Sequence, residues 1–137
     1  MIAPAWCAPF TRFEYADKGR GPAQFDCWGF VRHVEREQFG IVDLPDLASA
    51  YPSCEDHGAV ADVVRRYKRL LAAAWVLVED PRPGDIVILN VAQHPWHCGI
   101  VVAGRLMMHM LKGVNVGIER FDREPWRNRI EGFYRNA

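Results

Sequence analysis

The sequence has no Cys-x-x-Cys pair, no excess of either charge and no long apolar run, and each absence removes a class of function. Without Cys-x-x-Cys, the strongest signature of a structural zinc site or a thioredoxin-like redox pair is missing. Lys plus Arg and Asp plus Glu stand at 17 each, so no global field draws the chain to nucleic acid or to an anionic membrane. A membrane span needs roughly 18 or more consecutive apolar residues, and none occurs. The opening "MIAPAWCAPF" has neither a basic n-region nor an apolar h-region, so the expectation is cytoplasmic synthesis without a cleaved signal. Internal repeats and low-complexity tracts are also missing.

What is present suits one well-filled core. The chain has 137 residues, half of them hydrophobic, which predicts a single domain over residues 1–137. Its four cysteines, Cys7, Cys27, Cys54 and Cys98, are expected to be free thiols in a reducing compartment.

From Asp26 onward, Cys27, Phe30, Val31 and Val34 recur at i, i+3, i+4 and i+7, while Arg32, Glu35, Arg36 and Glu37 fall elsewhere. That is an amphipathic helix, with Asp26 as its N-cap or first-turn residue and Gly40 as its end. Val42 to His57, rich in Pro, Ser and Asp, reads as a long ordered loop. Val60 to Ala74 then repeats the helical pattern, with Arg65, Arg66, Lys68 and Arg69 on a solvated face. After "EDPRPGD" the pattern changes to short apolar runs, "IVIL", "CGIVVA", "RLMMHML", "VNVGIERF" and "EGFYR", typical of strands. Helices first and clustered strands later predict an α+β domain with a largely antiparallel sheet.

Cys27 is the residue that most invites a chemical role. A cysteine nucleophile reacts as the thiolate, and a helix N-terminus or a neighbouring imidazole lowers its pKa. Cys27 has the first feature by position, and His97 is the best-placed source of the second. His109 follows 12 residues later on the next candidate strand. If Val102 to Gly104 form a three-residue loop, His97 pairs directly opposite His109 on one sheet face; a two-residue loop at Ala103 and Gly104 would separate them. The catalytic reading therefore predicts the looser turn, with His97 as base to Cys27 and His109 orienting His97. Backbone N–H groups at the helix start could stabilise an oxyanion, and acyl transfer is the reaction such a site performs.

The segments "YADKGRGPAQFDCWGFV", "RPGDIVIL", "HCGIVVAG" and "MMHML" resemble the NlpC-type family of papain-like cysteine peptidases, which hydrolyse cell-wall peptides. The resemblance runs from Tyr15 to about Tyr134. It implies a papain-like fold, N-terminal helices packed on a C-terminal antiparallel sheet, with Cys27 as nucleophile, His97 as general base and His109 as its orienting partner. It further implies that Tyr15 lines the site near the oxyanion, and that neither a metal nor an organic cofactor is needed. Trp28, in place of the more common serine, resembles members encoded in phage tail operons and gene transfer agents. The implied partners are a peptidoglycan stem peptide as substrate and phage-tail-like assembly proteins, with delivery by a larger particle. Two other readings are a non-catalytic tail-assembly structural protein and a thiol acyltransferase or amidase acting on another substrate.

Several residues have plainer expectations. Cys98 points away from His97 in a strand and reads as core packing, as do Cys7 and Cys54. The same alternation opposes a zinc site built from His94, His97, Cys98 and His109. His33 and His57 read as surface residues, and His94, in the loop "AQHP", as a solvent-exposed residue, with a place at the border of the cleft as the alternative. Asp26 and Asp85 are explained by capping and by a turn or strand start.

Overall fold

Asp26 opens the first α-helix by the capping chemistry its position predicts. In the computed structural model, which describes residues 2–137, helix α1 spans Cys27–Phe39; the Asp26 side chain accepts from the Gly29 N–H, and Gly40 closes the helix at a left-handed φ of 69°. Cys27, Phe30, Val31 and Val34 are buried along the expected stripe. Glu35 departs from the pattern, being fully buried as well. The stripe is wider than the sequence suggests because the segment carrying Asp85 comes close to that flank.

Before α1, a 3-10 helix covers Ala5–Phe10, and two short strands, β1 (Glu14–Tyr15) and β2 (Gln24–Phe25), pair in parallel. Residues 41–56 form the predicted loop without helix or strand. Helix α2 runs over His57–Leu70, with Asp56 capping it through the Ala59 N–H. It stops short of the expected Ala74, and Trp75 instead begins strand β3 (Trp75–Val78). That strand was not predicted: it pairs with the last strand, a partner that no local pattern shows.

The remaining strands are β4 (Ile86–Val91), β5 (His94–Ala103), β6 (Leu106–Leu111), β7 (Asn115–Arg120) and β8 (Ile130–Asn136). With β3 they form a six-stranded antiparallel sheet in the order β3-β8-β4-β5-β6-β7. The architecture is the predicted α+β type. Alternation along the strands divides the core. Ile100, Val102, Met108 and Met110 pack with Phe30 and Val34 of α1, whereas Val87, Leu89, Val101 and Met107 pack beneath Phe121 and Trp126 on the opposite face. Asp85 does its structural work at the start of β4, accepting from the Arg82 N–H at 2.7 Å and from Arg135 at 2.8 and 3.0 Å. Among the described residues no helix is long and apolar enough to cross a membrane.

The β5–β6 connection differs from the expected three-residue loop. Ala103 pairs with Leu106, which leaves only Gly104 and Arg105 in the turn, and a register shift between Val101 and Ala103 changes the pairing to Ile100 with Met108. A two-residue turn alone would have put His97 and His109 on opposite faces; the bulge in β5 restores the shared face by moving the register one residue. His97 is consequently not directly opposite His109. Continuing the ladder places Gly99 there, and its backbone lies against the His109 Cβ.

Candidate active site

The N-terminus of α1 is held by a network centred on Asp26, which is fully buried. Arg20 donates to Asp26 Oδ1 at 2.8 Å, Gly29 N–H to the same oxygen at 2.7 Å and the Cys54 thiol to Oδ2 at 3.0 Å, with the Tyr51 hydroxyl completing the set. Arg20 also reaches the Tyr51 hydroxyl at 2.7 Å and the Asp46 carbonyl at 2.8 Å. It therefore ties the long loop to the helix start. Gly29 is required by this packing, because a Cβ there would lie 2.2 Å from the Gly19 carbonyl oxygen. Cys27 is thus fixed in place by its neighbours on both sides.

Cys27 is buried and hydrogen-bonded to both Cys98 and His97. Its pKa is lowered to about 5, first by the Cys98 hydrogen bond and then by His97, against the opposing effect of burial. A lowered pKa favours the thiolate, the form in which a cysteine reacts. Cys98 is raised well above its ordinary value, by its bond to Cys27 first and by burial second, so it stays a thiol and donates. Cys98 packs in the core as expected, with Val31, Leu44 and Ile86, and acts on the Cys27 sulfur in addition. Consecutive strand residues do point to opposite faces, yet both meet Cys27. The β5–β6 ladder ends at Ile100–Met108 while β5 runs on to His94 beside β4, and Cys27, the first residue of α1, meets His97 and Cys98 on this extension.

From His97 the hydrogen bonds continue across the sheet. His97 Nε2 lies 2.8 Å from His109 Nδ1, and His109 Nε2 lies 2.6 Å from Glu119 Oε2. Burial, helped by His97, lowers the His109 pKa to about 4 although Glu119 acts the other way. The His109–Glu119 contact is therefore a hydrogen bond to a neutral ring rather than an ion pair at neutral pH. This fixes the tautomers in sequence. Glu119 accepts the Nε2–H of His109, the free His109 Nδ1 accepts the Nε2–H of His97, and His97 is left with Nδ1 for Cys27.

Two glycines make the diagonal contacts possible. Gly99 faces His109 from β5, where a Cβ would lie 3.1 Å from the His109 Cβ; Gly117 is its paired residue in β7. With both directly facing positions empty, His97 and Glu119, each two residues removed, can reach across. Trp126 covers the pair, its ring 5.9 Å from that of His97 and 5.0 Å from that of His109.

Tyr15 lines a small cleft of about 80 Å³ together with Cys27, Cys54, Trp96 and His97. Its backbone N–H donates to Asn115 Oδ1 at 3.0 Å, and burial raises the pKa of its hydroxyl, which is hydrogen-bonded to Cys54. All four residues singled out from the sequence, Tyr15, Cys27, His97 and His109, are thus brought together. Glu119 was missed. The only sequence signal was its even spacing from His109, useless until the β6–β7 register is known. His33 and His57 are half-buried rather than surface residues: His33 packs 4.9 Å from Phe25, and His57 stacks on Trp96 at 4.1 Å. His94 begins β5 instead of lying in a loop. Among the described residues no group of three or more His, Cys, Asp or Glu side chains is arranged to hold a metal.

Comparison with known proteins adds to this geometry. The model of the NlpC/P60 family matches residues 11–135. Tail tip assembly protein K of Escherichia phage N15 is 32% identical over 90 residues, which is 65% of this chain but 36% of that protein. The chain therefore spans little more than a third of that relative. Among solved structures, the NlpC/p60 domain of peptidoglycan hydrolase SagA superposes with a TM-score of 0.61 at 19% identity, covering 97% of this chain and 94% of that one. An NLP/P60 family protein similar to lipoprotein, from Staphylococcus aureus subsp. aureus Mu50, gives a TM-score of 0.63 at 20% identity over 96% of this chain and 39% of its own. At such identities the likeness is one of fold.

Proposed function

The chain belongs to the NlpC/P60 family, and from that premise we propose that it is a cysteine peptidase or amidase that hydrolyses amide bonds in peptidoglycan stem peptides, residues 1–137 forming one peptidase domain. The observation that carries this reading is the hydrogen-bonded series from Cys27 through His97 and His109 to Glu119, beginning at a helix N-terminus. The Cys27 thiolate attacks the amide carbonyl to form a tetrahedral intermediate. First-turn N–H groups of α1, of which Gly29 is taken up by Asp26, face the developing oxyanion, with Tyr15 beside it. His97 delivers its Nδ1 proton to the leaving amine and then removes a proton from the water that hydrolyses the acyl-enzyme. His109 holds the ring of His97 so that Nδ1 stays on the sulfur. No metal or organic cofactor enters these steps.

Similarity to a tail tip assembly protein supports a setting in a phage-tail-like particle that opens the wall locally. It also supports a second reading, in which the fold serves tail assembly without catalysis. Cys27→Ala separates the two. The expected result is loss of new amino groups released from purified peptidoglycan, with particles still assembled but unable to penetrate the wall. Failed assembly of Cys27→Ala particles, with no hydrolysis by the wild-type protein, would establish the structural role instead. In the wild-type protein, mass spectrometry of alkylated cysteines should find Cys27 labelled selectively below pH 7, and more slowly in His97→Ala.

A further inference from the structure

The cleft beside Tyr15 is not the only space that reaches Cys27. A cavity of about 410 Å³ lies on the other side, walled by Val60, Val63, Leu71, Trp75 and Ile88, with Cys27 and Cys98 also in its lining. Its size falls within the usual range of small-molecule sites. Its lining is almost wholly apolar. The polar groups around it are already engaged: Lys68 donates to Glu131 at 2.6 Å, the Tyr134 hydroxyl to Glu131 at 2.8 Å, and the Tyr51 hydroxyl to Asp26. A charged peptide placed there would lose its water and find few partners. An alkyl chain would lose nothing and gain about fourfold in binding for each methylene removed from water, the equivalent of about 0.8 kcal/mol.

Cys27, Cys54, Trp96 and His97 line both spaces, so the nucleophile stands on their common wall. We propose that the large cavity is an acyl-binding site, which receives the medium-length alkyl chain of an ester, thioester or amide whose acyl group is transferred to Cys27. The assignment goes beyond wall hydrolysis and rests on the Cys27–His97 reading for its chemistry. With an ester, the Cys27 sulfur bonds to the carbonyl carbon, the bond from that carbon to the alkoxy oxygen breaks, and His97 protonates the leaving alcohol. Water then adds to the thioester, one proton passing to His97 and the Cys27 sulfur leaving as the thiolate. The products are a free fatty acid and the original thiolate–imidazolium pair.

The test uses p-nitrophenyl acetate, butyrate and octanoate, with Cys27→Ala as the blank. The ratio of kcat/KM for octanoate over acetate should be at least about tenfold, the equivalent of burying about two methylenes at about fourfold each. It should fall about tenfold in Val63→Trp, and likewise in Ala72→Trp, which narrows the cavity from an exposed lining position. The ratio is its own folding control, since a misfolded variant loses both substrates. A flat chain-length profile, or a preference for octanoate that both variants leave unchanged, would overturn the assignment. Displacement of 1-anilinonaphthalene-8-sulfonate from the Cys27→Ala protein by octanoate, measured against acetate, separates binding from chemistry. If no ester were turned over, acyl transfer to Cys27 from this cavity would be overturned, while release of amino groups from peptidoglycan would still decide the hydrolase reading separately; absence of displacement by octanoate would likewise remove the site.

Discussion

Helix α1 buries two carboxyl groups under opposite conditions. Asp26, at its N-terminus, accepts from Arg20, Gly29, Tyr51 and Cys54. Glu35, farther along the same helix, is equally buried, yet neither of its carboxyl oxygens has a hydrogen-bond partner among the described residues. Burial, reinforced by Asp85, raises the Glu35 pKa to about 8. The difference teaches where buried charge is tolerated. At the helix start, unpaired N–H groups and an arginine favour an anion; in the helix body the backbone donors are used up, and the carboxyl is kept neutral by taking a proton instead.

The largest expected effect comes from removing the better-served carboxyl. Asp26→Ala should destabilise the fold by about 3–5 kcal/mol, because it strips Arg20 of its buried partner as well as uncapping α1; urea unfolding measures this. A loss below about 1 kcal/mol would mean that the network contributes nothing beyond the cap.

Glu35 should behave in the opposite way. Its folded pKa lies above the unfolded value, so the protonated form favours the native state, and stability falls as pH rises from about 4.5 to about 8. Glu35→Gln should abolish that part of the decline and be more stable than wild type above pH 8, by on the order of a few kcal/mol. Parallel pH profiles of the two proteins in urea would refute the neutral-carboxyl assignment.

A third carboxyl, Glu119, is partly exposed, with 39% of its side-chain surface accessible, and it should matter for rate more than for folding. Glu119→Gln weakens the hold on the His109 tautomer and should lower kcat/KM by on the order of tenfold, equivalent to about 1.4 kcal/mol, with little change in unfolding midpoint. The smallest effect concerns the sulfur itself. In Cys98→Val the apparent pKa of Cys27 alkylation should move upward from about 5, since its principal hydrogen bond is gone while that of His97 stays. An unmoved profile would show Cys98 to be packing alone.

Much of the fold was legible because it is encoded locally. The start of α1 at Asp26, its end at Gly40 and the strands around "IVIL" and "MMHML" follow from capping chemistry and from period. Strand β3 was not legible, since Trp75–Val78 is defined by pairing with residues 133–136 at the far end of the chain. The candidate site divided along the same line. Cys27, His97, His109 and Tyr15 stood out by residue type and order, whereas Glu119 and the hydrogen bond of Cys98 did not, because both depend on which residues meet across strands.

The sequence by itself determined that a cysteine opens a helix, that two histidines lie on neighbouring strands, and that no global charge directs the protein to a polyanion. Only the tertiary structure decided how those histidines face each other. A two-residue turn at Gly104 and Arg105 would have separated them, and one extra residue in β5 near Val102 reunites them on one face. Side-chain direction in a strand reverses with every residue, so a single bulge, which no local propensity announces, sets whether His97, His109 and Glu119 can join in one hydrogen-bonded series.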